Sequence, residues 1–169
     1  NMCFMNHKVG IILMGVKYMN KFMKEAIKEA QKGIHNNHGG PFGAVVVKDN
    51  KIIGRGHNQV VLNNDPTCHG EIQAIRKASK KLNSFDLSGC EIYTTSEPCP
   101  MCLGAILWAN IDKIYYGCNI NDAEEIGFRD HIFYEMQKIG FKERVIELDR
   151  EACLNLFFEY KSFKNKTNY

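Results

Sequence analysis

Apolar positions recur along this chain in two rhythms, and the changes between them mark out its elements. Phe22, Met23, Ala26, Ile27, Ala30 and Ile34 form one stripe at helical spacing, which predicts an amphipathic helix over about residues 20–33. The stretch "HNNHGGPFG" that follows is dense in helix breakers and reads as a loop. Two β-rich runs, "AVVVK" and "KIIGRG", then flank "DN" in the manner of a hairpin. Beyond the "NNDP" turn, Ile72, Ile75, Ala78 and Leu82 stripe a second helix over about residues 69–82. "CEIYTT" is β-rich, whereas "PMCLGAILWAN" is apolar almost all round and is expected to be a helix buried within the protein. "KIYYG" predicts another strand and "RVIEL", residues 144–148, one more. Mixed loop and short helix are expected between them. Cys153, Leu156, Phe157 and Tyr160 stripe a closing amphipathic helix. This order predicts an α/β protein with one mixed, five-stranded sheet covered by helices on both faces.

Composition narrows the class further. A length of 169 residues suits a core that needs no disulfide staples, with 44% hydrophobic and 24% charged residues as in ordinary globular proteins. The formal net charge of +3 is too mild to select nucleic acid as a partner. The basic runs "RKASKK" and "KSFKNK" read as solvated helix faces. Seven unevenly spaced cysteines do not form a disulfide framework, so a reduced, cytoplasmic compartment is expected. The apolar run "VGIILMGV" is too short to cross a bilayer, and no small-residue cleavage site follows it. No membrane association is expected. Met19 begins a second, better-behaved start, so residues 1–18 are expected to be a non-catalytic extension and residues 19–169 a single domain.

The chemistry concentrates in "HGE", residues 69–71, and "PCPMC", residues 98–102. Thiolates and a neutral imidazole are borderline-soft donors suited to Zn²⁺, although the ligand types alone also admit Fe²⁺. Cys99 and Cys102 stand three apart at a helix start, with Pro98 suited to its first turn. The positive end of that helix favours both thiolates. His69 opens the other helix as the third ligand. Three protein ligands leave one position free, the mark of a catalytic zinc. Glu71 would stand beside the ion without binding it and carry protons between water and substrate, while Gly70 lets their shared backbone approach a ligand closely. A structural zinc would need a fourth ligand, for which Cys68, Cys90, His57 and Cys118 are candidates. A redox dithiol would leave "HGE" as coincidence. The joint pattern H-x-E…P-C-x-x-C is the signature of zinc nucleobase deaminases.

On these residues the chain resembles the cytidine/deoxycytidylate deaminase superfamily and, more narrowly, the bacterial guanine deaminases. "GGPFGAVVVKD", "NDPTCHGEIQAIRKA", "SEPCPMCLGAILWA" and "DAEEIGF" fall in the family's order from about Phe22 to Tyr169. The resemblance implies a three-layer α/β/α fold and one Zn²⁺ per subunit. It implies hydrolysis of guanine to xanthine and ammonia. It also implies that Asn58 hydrogen-bonds the purine, Phe42 stacks on it, Asp130 contacts it and Trp108 stands near the pocket. Tyr169 would close the site from the partner subunit of a swapped homodimer. Two departures stand out: relatives mostly carry alanine at Gly70, and an acidic residue at Arg129. The second bears on substrate choice. Alternatives are a tRNA adenosine deaminase, a deaminase of cytosine or another amino-heterocycle, and a zinc-stabilised binding module without catalysis.

Overall fold

A computed structural model describes residues 19–140 and 144–164. The extension over residues 1–18 and the terminal Tyr169 lie outside them. Helix α1 (Lys21–His35) begins at Asn20, whose side chain accepts from the N–H groups of Phe22 at 2.8 Å and Met23 at 3.2 Å. An N-cap of this kind satisfies donors that the helix itself cannot. Strands β1 (Gly43–Lys48) and β2 (Lys51–His57) pair antiparallel around Asp49 and Asn50, both left-handed, as a two-residue type I′ hairpin turn requires. The one-turn helix α2 (Val60–Asn63) leads to α3 (Gly70–Leu82). Then come β3 (Cys90–Ser96), α4 (Pro100–Trp108), β4 (Lys113–Cys118), α5 (Ile120–Glu125), α6 (Asp130–Ile139) and α7 (Arg150–Ser162).

The sheet order is β2-β1-β3-β4, with β1 antiparallel to both neighbours and β3 parallel to β4. Successive side chains of β1 point to opposite faces, and both faces are covered, so the run from Ala44 to Val47 is buried throughout. Val45, Val47 and Tyr93 pack with Ala26 of α1, while Phe22 and Met23 close that layer's edge. On the opposite face Ala44, Val46 and Ile92 pack with Ala74 and Ala78 of α3 and Ile106 of α4. Helix, sheet and helix make the three layers.

Two expectations need correction. The sheet has four strands among the described residues, not five. Residues 145–149 are irregular, and Val145, Ile146 and Leu148 are 70%, 80% and 76% exposed. Alternating apolar residues make a strand only where a neighbour completes the hydrogen-bond ladder, and here this segment has none. Helix α4 is also not wholly buried: Cys102 and Ile106 face the core, whereas Leu107 and Trp108 are 63% and 66% exposed. None of the residues of α7 is buried.

Candidate metal and catalytic site

Two helix starts converge at one end of the sheet. His69 is the N-cap of α3 and Cys99 the N-cap of α4, each with extended backbone and neither using its side chain to cap. Pro100, not Pro98, takes the first position of α4, where its missing N–H costs nothing. The freed side chains meet instead. His69 Nδ1 lies 3.7 Å from Cys99 Sγ, and the donor atoms of His69, Cys99 and Cys102 lie within 4.8 Å of one another. Two donors bonded to one tetrahedral zinc at ordinary N and S lengths stand about 3.6 Å apart, so the set fits the ion. Among the described residues no further histidine, cysteine or carboxylate joins this group. Cys68 instead donates to Asp65 at 3.1 Å, His57 pairs with His38, Cys90 is buried at the far end of β3, and Cys118 is exposed.

The electrostatics agree with a cation site. Interaction with the neighbouring Cys102 thiol, and with His69, holds the Cys99 thiol down at about 4. Cys102 is pushed up by the same interaction with Cys99 and by burial. Hydrogen bonding to Cys99 raises His69. A divalent cation would replace the shared protons, and two thiolates with a neutral imidazole would balance its charge.

Glu71 stands behind these donors, 5% exposed. It accepts from Thr94 Oγ1 and from the Cys102 thiol, each at 3.4 Å. Burial pushes its carboxyl up, which suits a group that alternates between holding and releasing a proton. Gly70 lies between His69 and Glu71 but does not line the cavity. A Cβ there would come within 2.9 Å of the Phe42 carbonyl oxygen, so its lack of a side chain lets α3 pack closely on the Phe42–Gly43 backbone.

A cavity of about 370 Å³ opens onto His69, Glu71 and Cys99. Phe42 and Asn58 line it, as do Arg129 and Asp130. Phe42 meets Phe128 edge-on with ring centres 4.6 Å apart, giving an aromatic wall. Asn58 is buried, and its Oδ1 accepts from the Val60 N–H at 3.1 Å, which leaves the amide N–H₂ to the cavity side. Burial pushes the Asp130 carboxyl up, and the Arg129 guanidinium lies over the Phe133 ring at 5.6 Å. Trp108 does not line this cavity; it borders a separate groove with Phe85 and Ala105. Phe128 and Ser96 escaped the reading of the residues. Ser96 sits two positions beyond Thr94 on the same face of β3, and its buried hydroxyl has no hydrogen-bond partner among the described residues.

An open His–Cys–Cys donor set with a buried carboxylate beside it, at the head of an α/β/α sandwich, defines a hydrolytic zinc centre. Residues 17–118 match the cytidine and deoxycytidylate deaminase zinc-binding region, and the chain belongs to that family. It is 44% identical over 151 residues to the guanine deaminase of Bacillus subtilis, a match that covers 88% of this chain and 97% of that protein. The crystal structure of the B. subtilis guanine deaminase superposes with a TM-score of 0.83, covering 89% of this chain and 99% of the other. A tRNA-specific adenosine deaminase of Buchnera aphidicola is 38% identical over 124 residues, covering 72% of this chain and 76% of its own.

Proposed function

We propose that this protein hydrolyses guanine to xanthine and ammonia, with His69, Cys99 and Cys102 holding one zinc ion. The observation that carries the chemistry is the Glu71 carboxylate, buried beside the three converging donors and open to the cavity. Zinc in such a site supplies a Lewis acid that makes water nucleophilic near neutral pH. Glu71 takes the proton of the water that attacks the ring carbon bearing the amine. It then delivers a proton to the adjacent ring nitrogen and a further one to the departing nitrogen. The C–O bond forms first, the attacking oxygen's second proton reaches the amine by way of Glu71, and the C–N bond then breaks to release ammonia and leave the new carbonyl.

Similarity to the B. subtilis enzyme supports guanine as the base, and the cavity agrees with it. Phe42 offers a ring face, the Asn58 amide a donor for a carbonyl or ring nitrogen, and Asp130 an acceptor for purine N–H groups. Arg129 lines the same edge over the Phe133 ring, and Asp130 beside it supplies the carboxylate there. The unpartnered Ser96 hydroxyl adds one more group for whatever the cavity holds.

The same reading takes residues 19–169 as one deaminase domain that acts as a homodimer, with α7 and Tyr169 reaching the partner subunit. Its support is the exposed Leu156, Phe157, Phe158 and Tyr160 on α7, a helix with no buried residue of its own. The deciding experiment measures ammonia release from purified protein given guanine, cytosine, adenine, guanosine or a tRNA anticodon stem-loop. Release from guanine alone is expected. Turnover of the stem-loop with a steep salt dependence, and none of guanine, would assign the chemistry to RNA instead.

A further inference from the structure

The cavity is walled on one side by a loop, residues 38–42, which bears none of the reacting groups. Gly39 and Gly40 line the cavity, and Phe42 ends the loop. Its far end is pinned by the Thr95 hydroxyl, which donates to the Pro41 carbonyl at 3.2 Å and accepts from the Gly43 N–H at 3.0 Å. Its near end is pinned by a pair of imidazoles. His38 Nδ1 lies 2.9 Å from Nε2 of His57, the last residue of β2, and the rings stack with centres 5.2 Å apart.

His57 is 3% exposed, and its Nδ1 lies 3.5 Å from the Glu29 carboxylate without a hydrogen bond between them. The Gln59 amide nitrogen, which can only donate, lies 3.4 Å from His57 Nε2 and makes that nitrogen an acceptor. His38 must then donate through Nδ1. A hydrogen bond between two imidazoles demands one proton in the gap, and the Gln59 amide at His57 Nε2 directs it from His38 to His57.

This bond grips a residue on which two parts of the site depend. The His38 carbonyl accepts from the N–H groups of Val61 and Leu62, holding the start of α2, and the Val60 N–H in turn fixes the Asn58 side chain. Gly39, next to His38, packs so closely on Asn58 that a Cβ would collide with Oδ1. The Phe42 carbonyl accepts from the Asn58 N–H at 2.8 Å. Histidine, loop and Asn58 therefore move together.

We propose that His38 and His57 form a clamp that positions the loop 38–42 and Asn58 against the bound base, governing substrate affinity while Glu71 and the metal donors govern the rate of chemistry. The inference rests on the deaminase reading above, but it concerns residues outside the reacting set. His38→Ala removes the donor. His38→Asn restores it, because the amide nitrogen of asparagine occupies the place of Nδ1.

Steady-state kinetics on guanine are the test. In His38→Ala, KM rises about tenfold while kcat stays within about twofold, the scale of one lost positioning hydrogen bond. His38→Asn returns KM to within about threefold of the parent. Zinc content is equal in all three proteins. An unchanged KM in His38→Ala, or an asparagine variant no better than the alanine variant, overturns the clamp. If guanine is inert and another amino-heterocycle is turned over, the substrate reading falls and the same comparison on that base judges the clamp. Should none be turned over, amide exchange decides. Faster exchange at Val61 and Leu62 in His38→Ala, reversed in His38→Asn, supports the clamp, and unchanged exchange overturns it.

Discussion

Glu71 is placed by its neighbours rather than by its own exposure, with Thr94 and Cys102 each addressing one carboxylate oxygen. Replacing it by alanine removes the proton carrier and none of the three converging donors. Glu71→Ala should therefore lose at least about a hundredfold in kcat while metal analysis still finds one zinc per chain. A second residue-scale effect lies at His57, where burial lowers the imidazole pKa more than Glu29 raises it. The native chain then resists a proton that the unfolded chain accepts near the ordinary histidine value. Between those two values the unfolded state binds more protons, so stability falls as pH drops below the ordinary histidine range. Denaturation curves should show a larger loss from about pH 7.5 to about pH 5.5 in the parent than in His57→Gln. Equal losses would remove His57 from the balance.

At the scale of elements, local signals were read well and non-local ones were not. Helix α1 has its own stripe and its own cap, and Asn20→Ala should lower unfolding stability by about 1 kcal/mol, measured as a shifted urea midpoint at constant slope. The hairpin is also local, since Asp49 and Asn50 tolerate the left-handed backbone that the turn needs. The metal donors were legible because Cys99 and Cys102 share a helix turn and His69 precedes Glu71 by two residues. The fifth strand failed at Val145 and Ile146 because a ladder depends on a partner that no run of five residues encodes. Helix α4 misled because a helix apolar on every side does not say which side the core takes, and Leu107 and Trp108 lie on the exposed one. Phe128 and the His38–His57 contact carry no periodicity at all. Only the fold brings residue 38 to residue 57.

On the whole-molecule scale, the described chain leaves more apolar surface uncovered than its core explains. Leu156, Phe157 and Phe158 on α7 are each more than 60% exposed, and the outer side of α4 adds Leu107 and Trp108. Scattered exposed apolar residues are normal, but a helix bearing several and burying none calls for a covering surface. Sedimentation equilibrium should give a dimer for the parent protein, and Phe157→Asp should shift it toward monomer. A monomeric parent with full turnover would separate activity from assembly. None of the described helices is long and apolar enough to cross a membrane.

The metal donors and Glu71 all come from residues 69–102, whereas most of the cavity's remaining wall comes from residues 39–61 and 127–133. In the proposed reading, reactivity and discrimination are thus written in separate stretches of polypeptide. Grafting a different 127–133 segment would retarget the catalyst to another heterocycle without rebuilding its engine, a modularity open to laboratory evolution.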